Sequence, residues 1–176
     1  CLSINCEANT ASASAKGYAA QSLSFKLFEG EEVNVEKYVG ISSSLDCKSA
    51  ELLSLTNEVA ASAKMKGYDQ LREDHITKWS EIWSMADITI EGDIAAQQAI
   101  RFNIFHLNQT YSGDDPRLNI GPKGFTGEKY GGASYWDTEA YCLPFYLGTH
   151  PSKVARQLLV YRRQHLERAI ENAGKL

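Results

Sequence analysis

The sequence predicts a mainly α chain that opens with a β segment. Three observations predict it. Apolar residues alternate with polar ones up to Ile41, they recur at spacings of three and four from Leu52 onward, and residues 94–111 carry two apolar stripes rather than one. The 176 residues are 43% hydrophobic and 23% charged, the composition of a chain that folds around a core.

In the β segment, Leu2, Ile4 and Cys6 alternate with polar neighbours, as do Leu23, Phe25 and Leu27, and then Val33, Val35, Val39 and Ile41. This is the pattern of half-buried strands. Glu29-Gly30 falls between the last two runs and reads as a hairpin turn. The Ala/Ser-rich stretch from Ala8 to Ala20 has no periodicity and reads as a loop.

From Asp46, a candidate N-cap, the stripe Leu52, Leu55, Val59 and Ala63 predicts a helix that stops at Gly67. A second stripe, Leu71, His75, Trp79, Ile82, Trp83 and Ala86, predicts a partner helix packed on the first, with His75 as a core histidine. Asp87 to Gly92 reads as an extended connector. Asp93 then caps a third helix through Gln109, whose stripes are Ile100, Ile104, Leu107, Tyr111 and Ala99, Phe102, Phe105. A helix apolar on two faces belongs between other elements, as in a multi-helix barrel. Residues 112–136 form a long loop. A short helix is expected over Asp137–Leu147, kinked or shortened by Pro144. The last helix starts near Pro151, buries Val154, Leu158, Tyr161, Leu166, Ala169 and Ile170, and exposes Arg162, Arg163, Glu167 and Glu171.

Several function classes are disfavoured. The net charge is −4 and no Lys/Arg stripe exists to neutralise phosphates, so a nucleic-acid partner is not expected. No apolar run has the length to span a bilayer, so no membrane partner is expected either. Cys1, Cys6, Cys47 and Cys142 form no C-x-x-C pair, and they read as reduced thiols in a cytoplasmic protein rather than as metal ligands.

Chemistry concentrates between Asn119 and Tyr146, in NIGPKGFTGEKYGGASYWDTEAYCLPFY. Gly121, Gly124, Gly127, Gly131 and Gly132 alternate with Phe125, Tyr130, Tyr135 and Trp136, and with the acids Glu128, Asp137 and Glu139. No P-loop or G-x-G-x-x-G pattern is present. Aromatic rings beside carboxylates suit sugars, whose C–H faces stack on rings and whose hydroxyls donate to carboxylates. Core packing and helix capping are the plainer roles for the same residues.

The string GPKGFTGEKYGG followed by YWDTEAYCLPFYL resembles glycoside hydrolase family 65, the family of the disaccharide phosphorylases, and looks closest to its maltose-cleaving subgroup. The resemblance implies that residues 1–45 are the last strands of an N-terminal β-sandwich, 46–92 a helical linker, and 93–176 the first part of an (α/α)6 catalytic barrel. It implies an inverting reaction in which maltose and phosphate give β-glucose 1-phosphate and glucose. Trehalose, kojibiose or nigerose phosphorolysis, or hydrolysis, are its near alternatives, and a non-catalytic helical interaction module is the distant one.

Carried over by position, Trp136 and Asp137 would line the subsite of the glucose that is transferred. No catalytic residue falls in this chain: the family's general acid is a later glutamate, so Glu128 and Glu139 are expected to be structural. The implied partners are a disaccharide and, as co-substrate, inorganic phosphate, in a homodimer, with no metal or organic cofactor. The chain is therefore expected to be an internal piece of a larger enzyme, without turnover or a well-packed fold of its own.

Overall fold

A computed structural model describes residues 2–122, 124 and 133–175. They form two compact units, one ending at Thr77 and the other starting at Lys78.

In the first unit, β1 (Leu2–Ile4) pairs antiparallel with the distant β4 (Val35–Lys37), in the register Leu2 opposite Lys37. Between them in sequence, β2 (Asn9–Ala15) and β3 (Tyr18–Ser24) make an antiparallel hairpin closed at Lys16-Gly17, where Gly17 takes φ +73°. The Ala/Ser stretch is thus a hairpin, not a loop. Every residue of β2 is exposed, so no face is buried and no apolar alternation marks it. Glu29-Gly30 does turn, with the Glu31 N–H donating to the Phe28 carbonyl at 3.1 Å, but it joins no paired strands. Strand pairing stops at Ser24, short of Phe25 and Leu27.

Asp46 caps a turn rather than a helix: its carboxylate accepts from the Ser43 N–H at 2.7 Å. Helix α1 (Leu52–Lys66) begins later and ends at Gly67, φ +80°, whose N–H donates to the Ala63 carbonyl at 3.1 Å. The buried residue of α1 is Ala60, while Val59 is 43% exposed. The reason is a close backbone approach. A Cβ on Gly40 would lie 2.3 Å from the Thr56 carbonyl oxygen and 3.2 Å from the Ala60 nitrogen, so small side chains must face that seam. Tyr38 is buried in the same unit, and Lys64 donates to the Leu2 carbonyl at 2.8 Å, tying the end of α1 to β1.

Helix α2 (Tyr68–Ala86) follows at once. Lys66 pairs with Asp74 across the Gly67 corner, but α1 and α2 make no extensive contact, so the expected packing along the helix is not found. His75 is exposed, against its reading as a core histidine.

In the second unit, Trp79 stacks on Phe105 with ring centroids 4.9 Å apart. The connector after α2 is extended, as its sequence predicts. Gln97 clamps it by accepting from the Ile90 N–H at 2.6 Å and donating to the Ile88 carbonyl at 2.9 Å. Arg101 grips Asp87 through two nitrogens, at 2.8 and 2.6 Å, and holds that carboxyl below the usual carboxylate range. Helix α3 (Ile94–Thr110) is capped by Asp93, whose side chain accepts from the Ala96 N–H at 2.9 Å. Of its two stripes, the one through Ile104 is buried and the one through Phe102, 61% exposed, is open.

The C-terminal elements are a π-turn (Thr138–Cys142), α4 (Leu143–Thr149), α5 (Ser152–Gln164) and α6 (Leu166–Ala173). Pro144 sits in the first turn of α4, where its missing N–H costs nothing, and the π-turn before it takes up the predicted kink. Tyr111, Ile120, Tyr146, Val154, Ala155 and Leu158 form the core. Tyr146 and Leu158 are fully buried, each worth about 1.5–3 kcal/mol of apolar burial. The Tyr146 hydroxyl donates to the Leu107 carbonyl at 2.7 Å, closing the end of α3. The expected last helix breaks at His165, and Leu166 and Ile170 are exposed at 42% and 62%, so the stripe predicted to be buried ends with α5.

His150 bridges α3 and α4. Its Nε2 lies 2.6 Å from the Asn108 Oδ1, and its Nδ1 lies 2.7 Å from the Thr149 hydroxyl. Burial lowers its pKa. The folded value lies below the unfolded one, so the unfolded state holds more protons between the two. Stability should therefore fall as pH drops from about 6.5 through the folded value. His150→Gln should flatten the slope of unfolding free energy against pH over pH 7 to 5. An unchanged slope would assign the effect to other groups.

Candidate functional site

The site is built around the turn that carries Trp136 and Asp137. The Trp136 carbonyl accepts from the N–H groups of Glu139 and Ala140, at 3.1 and 3.0 Å, which starts the helical turn. Thr138 is buried, and its hydroxyl donates to the Ile120 carbonyl at 3.1 Å. That bond pins the turn to the core residue next to Asn119. The Leu143 N–H reaches back to the Thr138 carbonyl, an i to i+5 bond.

On this frame the Trp136 indole is 66% exposed, so core packing does not explain it. It stands beside Tyr141, ring centroids 5.8 Å apart, with Tyr141 itself 67% exposed. Asp137 is half-buried, and its side chain makes no capping hydrogen bond to the helix that follows, so the plain N-cap role is not realised. The arrangement is an open aromatic pair next to a carboxylate that does not cap the helix it starts.

Glu139 is engaged. Arg162 donates to it from Nε at 2.7 Å and from Nη2 at 2.9 Å, and the same Nη2 donates to the Tyr135 carbonyl. Glu139 is thus tied to α5 by an ion pair, and Arg162 does not belong to a solvated face. Its spacing held the signal: Arg162 lies four residues after the buried Leu158, on the same face of α5. Tyr141 was also missed, because a spacing of five from Trp136 shares no face of an α-helix.

Phe125, Gly127, Glu128, Tyr130, Gly131 and Gly132 lie outside the described residues, as do Cys1 and Lys123. Among the described residues, no group of three His, Cys, Asp or Glu is placed to hold a metal. Cys6, Cys47 and Cys142 are free thiols. No helix among the described residues is long and apolar enough to cross a membrane.

Residues 1–82 match the glycosyl hydrolase family 65 N-terminal domain, and residues 101–176 match the family's central catalytic domain. The chain belongs to glycosyl hydrolase family 65.

Among family 65 relatives, the maltose phosphorylase of Bacillus subtilis (strain 168) is 51% identical over 145 residues, covering 82% of this chain and 19% of that protein. The kojibiose phosphorylase of Caldanaerobacter subterraneus subsp. tengcongensis is 40% identical over 156 residues, covering 89% of this chain and 20% of that protein. A solved structure of a candidate kojibiose phosphorylase from the human microbiome superposes with a TM-score of 0.72 at 25% identity, over 94% of this chain and 22% of its own. The chain spans about a fifth of the length of the curated relatives it matches.

Proposed function

We propose that this chain forms part of an inverting disaccharide phosphorylase that converts maltose and phosphate to β-glucose 1-phosphate and glucose. The observation that carries the reading is the open Trp136 indole beside the Asp137 carboxylate, which does no capping. A glucosyl ring presents a C–H face for the indole and vicinal hydroxyls for the carboxylate. The 51% identity to a maltose phosphorylase favours maltose over the kojibiose, nigerose and trehalose alternatives, whose phosphorylases match at 34–43%.

In this reading the strands close a β-sandwich, residues 46–92 link it onward, and residues 93–176 open an (α/α)6 barrel, in a cytoplasmic homodimer. Inverting hydrolysis needs an acid for the leaving oxygen and a base for water. Phosphate is already an anionic nucleophile and replaces both the water and the base. One general acid then suffices, and it lies outside these residues.

The test is phosphorolysis by the protein carrying this chain at the full length of its relatives. Offered maltose, kojibiose, nigerose and trehalose, it should release glucose in a phosphate-dependent way and fastest from maltose. Preference for another disaccharide would move the assignment within the family, and release without phosphate would make the protein a hydrolase.

A further inference from the structure

We infer that Arg162 positions the Trp136–Asp137 pair, and so sets how well the transferred glucose is held. This rests on the reading of those two residues as sugar contacts. The argument is geometric. Arg162 holds the chain on both sides of the pair, at the Tyr135 carbonyl just before it and at both Glu139 carboxylate oxygens just after it, at 2.7 and 2.9 Å. One rigid guanidinium fork therefore spans the exposed Trp136 and the half-buried Asp137.

The fork stands on firm ground. Arg162 lies in the last turn of α5, one turn beyond Leu158, which is fully buried with Val154 and Ala155 in the core. A cation at a helix C-terminus is also favoured by the helix dipole. Core position is thus passed from α5 through the guanidinium to the turn. The second fixed point is the Thr138 hydroxyl on the Ile120 carbonyl, at 3.1 Å. Arg162 has a further effect. Glu139 lies two residues from Asp137, and its charge is taken up by Arg162, so among the described residues this guanidinium is committed to Glu139 rather than to Asp137.

Arg162 and Glu139 are each about one-third exposed, so the pair adds little to overall stability. Its consequence is in placement. A shift of about 1 Å at a substrate contact can lower turnover about a hundredfold.

The test is a double-mutant cycle in the full-length protein. Arg162→Ala should raise the KM for the disaccharide about tenfold or more and lower kcat, with the KM for phosphate unchanged. Arg162→Lys and Glu139→Gln should give intermediate losses, and they keep the test open if the alanine variant does not fold. In an Asp137→Asn background the Arg162 substitutions should cost at least about threefold less than in the native background, because one of the two contacts they position is already gone. Equal losses in both backgrounds, or a fall in kcat alone that tracks folded fraction, would overturn the inference. If Asp137→Asn by itself leaves disaccharide kinetics unchanged, the sugar-contact reading fails first, and the role of Arg162 fails with it.

Discussion

Asp137→Asn in the full-length protein is expected to lower kcat/KM for the disaccharide by two to three orders of magnitude, with the KM for phosphate little changed. A hydrogen bond to a charged group is worth about 1.5–3 kcal/mol, and a carboxylate can take two sugar hydroxyls at once. Asparagine keeps one acceptor oxygen and turns the other position into a donor that faces a hydroxyl. The loss of about 3–4 kcal/mol corresponds to that range in rate. Asp137 makes no capping bond, so the substitution should leave the unfolding midpoint within a degree or two. Steady-state kinetics with each substrate varied in turn reads the effect. A loss below about threefold would remove Asp137 from the sugar site.

Gly113→Ala is expected to cost about 2–5 kcal/mol of stability in the second unit. Gly113 has φ +74°, and a Cβ there would lie 2.7 Å from both the Cα and Cγ1 of Val154. The left-handed backbone costs alanine about 1–2 kcal/mol, and forcing apart a packed contact adds about 1–3 kcal/mol. Val154 cannot step aside cheaply, since one of the atoms met is its own backbone and it lies in the core beside Leu158. Gly92→Ala is the control. Its φ of +84° is similar, yet nothing lies within 4 Å of the added carbon, so only the backbone cost should appear. Urea unfolding should show a lower midpoint for both, with the larger drop at Gly113 and no change in slope. Equal drops would mean that the approach to Val154 is not tight.

Elements with one buried stripe and a chemical stop were legible in the sequence. Asp93 and Gly67 bound α3 and α1 as their residue types predict, and the stripe of α3 through Ile104 is buried. The β2–β3 hairpin was not legible as a pair, because β2 is exposed throughout and leaves no alternation to read, and only Leu23 at the end of β3 carried a strand signal. Val59 was misplaced in the α1 seam because the seam is set by the bare backbone of Gly40, a residue with no hydropathy signal of its own. At the site, Trp136 and Asp137 could be picked out by residue type and resemblance. Arg162 carried only a partial signal, its place one turn after Leu158, and its role became visible once its carboxylate partner, 23 residues earlier, was brought beside it.

The π-turn at Thr138–Cys142 fits one more residue into the coil than a regular helix would hold. Each residue of an α-helix advances the chain by about 100° around the axis. The bearing of the indole relative to α4 therefore depends on residue count as well as on side-chain identity. A chain one residue shorter here could keep every named contact type and still aim Trp136 at a different quarter of its surroundings.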